Sequence, residues 1–112
     1  MDLKNLVKGE VGIEKMFQEL QAIAEEENIM WQAESRSKGI HTVLYETEIP
    51  EMSDDEIIIE DEKYSMSIDV SHITKIMREV DRIEPDEEID EVRYRLEVKP
   101  GMKVIIIAVF PK

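Results

Sequence analysis

Few residues in this chain are of the types that make or break covalent bonds. It carries two histidines, His41 and His72, and no cysteine, against 27 aspartates and glutamates. Acid–base catalysis ordinarily needs a histidine, a matched carboxylate pair or a metal, held in a cleft. His41 stands beside Val43 and Tyr45 in a β-branched stretch, and His72 follows Ser71 at the start of an apolar-periodic segment; neither belongs to a catalytic motif. The lack of cysteine removes thiolate nucleophiles, disulfides and sulfur-ligated metal sites. No glycine-rich phosphate loop, nucleophile elbow, His-Glu-x-x-His or EF-hand spacing occurs. The expectation is a noncatalytic protein with no cofactor and no metal centre. Trp31 and Tyr45 are candidates to line a ligand pocket, although a lone tryptophan is more often a core anchor.

What the chain has in excess is negative charge, and that charge is uneven. The net value is -13, and residues 41–70 carry ten acidic groups against Lys63 alone. The first cluster comprises Glu46, Glu48, Glu51, Asp54, Asp55, Glu56, Glu60, Asp61 and Glu62; a second comprises Glu84, Asp86, Glu87, Glu88, Asp90 and Glu91. Calcium would need a loop that wraps, commonly around a glycine, and there is none between Gly39 and Gly101. Carboxylates in turns keep a small domain soluble, and they also steer a basic partner to the surface. The residues expected to meet such a partner are Glu46, Glu48, Glu51, Asp54, Asp55, Glu56, Glu60, Asp61, Glu62, Asp86, Glu87 and Glu88.

Three functional classes follow. The first is an acidic protein-interaction module of inhibitor, immunity, adaptor or chaperone type, presenting these loops to a basic protein surface. One form of it is DNA mimicry, because Glu46 and Glu48 on one strand face would lie roughly 6.6 Å apart, near twice the phosphate repeat. The second is an anion-binding protein or small enzyme working from Arg93, Arg95 and Lys99, against which stands simple cross-strand pairing with acids. The third is an assembly subunit acting through an oligomer interface. Direct binding to nucleic acid or anionic lipid is disfavoured, since phosphate would oppose the field of the chain.

These residues need elements to position them. Ile13, Met16, Phe17, Leu20, Ile23 and Ala24 recur at three- and four-residue spacing, predicting an amphipathic helix from about Gly12 to Glu27. Glu25, Glu26 and Glu27 would crowd its negative pole, disfavoured by roughly 0.3–1 kcal/mol per exposed charge, which is a local rule broken of the kind found at binding surfaces. Asn28 suits a left-handed cap. Residues 1–11 read as a loosely ordered lead-in interrupted by Gly9 and Gly12. Alternation from Ile29 to Ala33 and from Ile40 to Ile49 predicts a hairpin turning at Arg36-Ser37-Lys38-Gly39, with Pro50 ending the second strand. Residues 56–60 and 64–70 predict a second hairpin. Ser71 then reads as an N-cap, and Ile73, Ile76, Met77, Val80 and Ile83 as the apolar stripe of a second helix stopped by Pro85, with Lys75, Arg78 and Arg82 sharing its solvent face. Val92, Tyr94, Leu96 and Val98 alternate into Lys99-Pro100-Gly101-Met102, where a loop longer than two residues or a bulge is expected. A last strand runs from Lys103 to Phe110.

The expected fold is a single α+β domain over residues 1–112, in two layers. A mainly antiparallel sheet of about five or six strands packs with two amphipathic helices, in the order α-β-β-β-β-α-β-β. In the last strand Val104, Ile106, Ala108 and Phe110 share one face and Ile105, Ile107 and Val109 the other, so both faces need cover, by a loop or by the second subunit of a homodimer. The longest apolar run, Val104 to Phe110, is far below the roughly 20 residues a spanning helix needs. With no secretory pattern at residues 1–5, the expected location is the cytoplasm.

Overall fold

A computed structural model describes residues 2–112. A 3-10 turn at Leu3–Asn5 leads into β1 (Gly9–Glu10) and α1 (Ile13–Ala24). Then follow β2 (Met30–Ser37), β3 (Ile40–Thr47), β4 (Glu51–Met52), β5 (Glu56–Glu60) and β6 (Ser65–Asp69). A second 3-10 turn, Val70–His72, opens β7 (Ile73–Ile83), which is followed by β8 (Glu88–Val98) and β9 (Met102–Val109). Six strands form one sheet in the order β1-β7-β8-β9-β2-β3, and three form a smaller one in the order β4-β5-β6. Every pairing is antiparallel.

The α+β class and the mainly antiparallel sheet are as the patterns imply, but the described residues contain one α-helix, not two. The segment expected to be the second helix is β7, paired along its length with β8. Its apolar spacing fits a helical stripe, yet five of its eleven residues are β-branched, and β8 offers a full-length partner with strict alternation. Ser71 caps no helix. Its amide and hydroxyl both donate to Asp69 Oδ1, at 2.9 and 2.7 Å, closing the 3-10 turn. Lys75, Arg78 and Arg82 therefore share no helical face: Arg78 and Arg82 alternate with Ile76 and Val80 on the inner side of β7, while Lys75 is exposed.

The core occupies one face of the six-stranded sheet. In register across it lie Val92 and Ala108, Tyr94 and Ile106, Leu96 and Val104, with Trp31 and Ala33 continuing the rows on β2. Met16, Leu20 and Ile23 from α1 and Ile57, Ile59 and Ile68 from the small sheet join the same buried cluster. The helix is the stripe the sequence implies, ending at Ala24, with Asn28 at φ +61 reversing the chain into β2. Residues 2–11 are held to this body: Leu6 is buried, and the Val11 amide donates to the Ile76 carbonyl at 3.0 Å.

On the opposite face Ile107 is 7% exposed. It sits in register between Arg93 on β8 and Gln32 on β2, whose long side chains flank it. The β8–β9 connection is the three-residue loop 99–101, with Val98 paired to Met102. The β2–β3 connection is shorter, with Lys38 and Gly39 both at positive φ, +41 and +82. That is the pattern of a two-residue hairpin turn of the primed type, normally filled by asparagine, aspartate or glycine.

Candidate functional site

The expected acidic residues do not form one surface. Glu46 and Glu48 straddle the end of β3, where a bulge displaces the register between Leu44 and Thr47 and the Glu48 amide leaves the large sheet to donate to the Glu60 carbonyl at 2.9 Å. Glu46 is therefore in β3 and Glu48 just beyond it. Glu51 is exposed beside β5 and Glu62 in the β5–β6 turn. Asp61 closes that turn by accepting from the amides of Lys63 and Tyr64 at 2.8 and 2.7 Å, and these backbone bonds hold its carboxyl below the usual range. Asp54, Asp55 and Glu56 line an open hollow of about 580 Å³ with Ser67, Asp69 and Ser71. Its polar groups are largely paired within it: Ser67 donates to Glu56 at 2.8 Å, and the Ser71 hydroxyl and amide lower the Asp69 carboxyl.

The second cluster acquires a setting that local pattern does not reveal. Asp86, Glu87 and Glu88, at the β7–β8 turn, line a groove of about 920 Å³ together with Glu26 and Glu27, just beyond the end of α1. Its apolar lining comes from Leu3, Val7, Ile89, Phe110 and Pro111, and its cations are Lys4 and Arg82. Three observations explain how the sequence builds it. The reversal at Asn28 leaves the glutamates exposed at the negative end of the helix. Arg82 ties the turn to the N-terminal segment, donating to the carbonyls of Glu87 at 2.9 Å, Lys4 at 2.9 Å and Leu6 at 2.8 Å. The Phe110 amide donates to the Asp90 carbonyl at 2.9 Å and brings the end of β9 alongside. Arg82 spends its donors on carbonyls, so the five carboxylates of the groove are left facing solvent.

Arg93 and Arg95 lie on the outer face of β8 and are engaged with acids. Arg93 contacts Asp81 at 2.6 Å, Glu91, and Glu79 at 3.9 Å; Arg95 contacts Glu79. The bond from Asp81, with Glu91 beside it, holds the Arg93 guanidinium firmly protonated. Lys99 stands apart in the β8–β9 loop. A cationic hollow of about 370 Å³ at that end of the sheet is lined by Arg36, Lys38, His41 and Lys103 with Gly39, Ile40 and Gly101, and not by Lys99. The β2–β9 register sets Arg36 opposite Lys103, a juxtaposition invisible in a sequence where they lie far apart. His41 is partly exposed, with Nε2 3.2 Å from Glu34, and His72 lies 3.9 Å from Asp69. Trp31 is in the core and Tyr45 is 72% exposed, so they do not share a pocket.

One polar constellation is buried. Glu19 of α1 receives the Arg78 guanidinium at 2.7 and 2.6 Å and the Tyr94 hydroxyl at 2.7 Å. Its signal was present, since Glu19 falls three after Met16 and four before Ile23 on the apolar stripe. Among the described residues no group of three or more His, Asp or Glu side chains is placed to hold a metal ion. Comparison with family models, curated proteins and solved structures finds no match for this chain.

Proposed function

We propose that this chain is a noncatalytic acidic protein-interaction module, and that its docking surface for a basic protein partner is the groove between the end of α1 and the β7–β8 turn. The observation that supports this reading is the combination in one groove of Glu26, Glu27, Asp86, Glu87 and Glu88 with an apolar lining that includes Val7, which is 62% exposed. Charge alone gives steering; apolar area beside it gives a contact that persists after encounter. The hollow at Asp54, Asp55 and Glu56 lacks such a lining, and the arginines of the anion-binding alternative are neutralised by Glu79, Asp81 and Glu91.

The immobilised protein is expected to retain a basic protein from native lysate at low salt and to release it near about 0.5 M salt, where the screening length falls to a few Å. Glu87→Lys with Glu88→Lys should abolish retention without lowering the melting temperature, whereas reversal at Asp54, Asp55 and Glu56 should leave it. Retention that survives the Glu87 and Glu88 reversal would sink the assignment.

A further inference from the structure

The groove has a counterpart on the same molecule. At the other end of the sheet the β2–β3 turn carries Arg36 and Lys38 beside Lys103, with Ile40 next to them 69% exposed. This end offers Lys38 and Lys103, with Arg36 4.0 Å from Glu34, around a protruding apolar side chain, where the groove offers carboxylates around an apolar lining. The two cannot meet within one molecule. Lys103 is the second residue of β9 and Phe110 follows its end, a separation of about 23 Å at strand rise. We propose that the β2–β3 turn of one copy docks in the acidic groove of the next, so that molecules associate head to tail. The inference rests on the groove being a docking surface and names a second copy as its occupant.

Two further features favour it. Lys38 occupies a left-handed position, φ +41, that asparagine or glycine adopts with less strain, so the lysine is not what the turn alone would select. The net charge of -13 opposes association at long range, but at about 0.15 M salt the screening length is about 8 Å, well under the distance between the two ends. Contact pairs then act while the distant charges do not. Because the copies are arranged head to tail, with no two-fold axis between them, the contact is heterologous and continues into rings or open chains instead of stopping at a dimer.

Sedimentation velocity of the full chain from about 10 µM to about 1 mM tests this. The average mass should keep rising past that of a dimer. Lys38→Glu or Glu87→Lys alone should weaken association about tenfold or more, as expected for close charge pairs, and mixing the two variants should restore it. Lys38→Asn should weaken it while leaving the melting temperature unchanged or higher, which a purely structural role for Lys38 would not produce. A wild-type protein that stays monomeric throughout, or a closed dimer indifferent to Lys38→Glu, overturns the proposal. Monomers whose groove still retains a basic partner through Glu87 overturn self-docking alone, and loss of both overturns the groove itself.

Discussion

Glu19 is fully buried, and its carboxylate is the point where the helix is tied to the sheet. Arg78 of β7 and Tyr94 of β8 both donate to it, and Arg78 Nε also donates to the Val7 carbonyl at 2.6 Å. A buried carboxylate without its cation is far worse than no carboxylate, because the desolvation is no longer offset. Arg78→Met should therefore destabilise the protein by about 3–5 kcal/mol in urea unfolding, while Glu19→Met combined with Arg78→Met should cost much less. A double variant as unstable as the sum of the two single ones would show that the pair is not coupled. The same site explains Tyr94, whose hydroxyl is pushed well above the ordinary phenol range by burial and then by its bond to Glu19.

At the scale of elements the β7–β8 hairpin is the instructive case. Read along the chain, residues 71–84 have helical apolar spacing. As a strand the same residues put Arg78 and Arg82 toward the core, an arrangement that is prohibitive unless both guanidiniums find partners. Those partners are remote: Glu19 is 59 residues from Arg78, and the Lys4 carbonyl is 78 from Arg82. No local pattern could report them. The outer face of the hairpin is held by ion pairs that carry a pH signature. Glu79 is lowered chiefly by its bond to Arg95, and Asp81 chiefly by its bond to Arg93. Since both folded values lie below the unfolded ones, their contribution is present above about pH 4 and is lost as pH falls through the folded values. Glu79→Gln with Asp81→Asn should flatten the decline of melting temperature between about pH 5 and about pH 2. An unchanged acid decline would place the sensitive groups elsewhere.

For the whole molecule the distribution of charge matters more than its total. The acidic groove and the cationic hollow lie at opposite ends of one sheet, and the end with the hollow also carries Asp69, next to His72 whose carbonyl accepts from the Lys99 amide. Self-repulsion within a body of net charge -13 should still weaken the folded state at low ionic strength. Melting temperature should therefore rise as salt increases from about 20 mM to about 150 mM. A fall over that range would mean that the specific ion pairs, which salt weakens, outweigh the general repulsion.

Much of this was legible in the chain. The stripe of α1, the left-handed reversal at Asn28, the alternation of β8 and the hairpin turning near Lys38-Gly39 all follow from backbone and side-chain preferences acting over a few residues. The missing thiols and the excess of carboxylates are likewise properties of composition, and no folding could change them. Tertiary structure alone decided that residues 73–83 are a strand and that Arg78, its side chain 11% exposed, is drawn in against Glu19. It also divided the acidic residues, setting Glu26 and Glu27 beside Asp86, Glu87 and Glu88 and leaving Asp54, Asp55 and Glu56 in a separate hollow. The physical reason is range. A helix stripe or a tight turn is selected by neighbours within one turn or one residue pair, whereas a strand with arginines on its inner face, or a groove drawn from both chain ends and a central turn, is stabilised only by groups that the folded chain brings from far away.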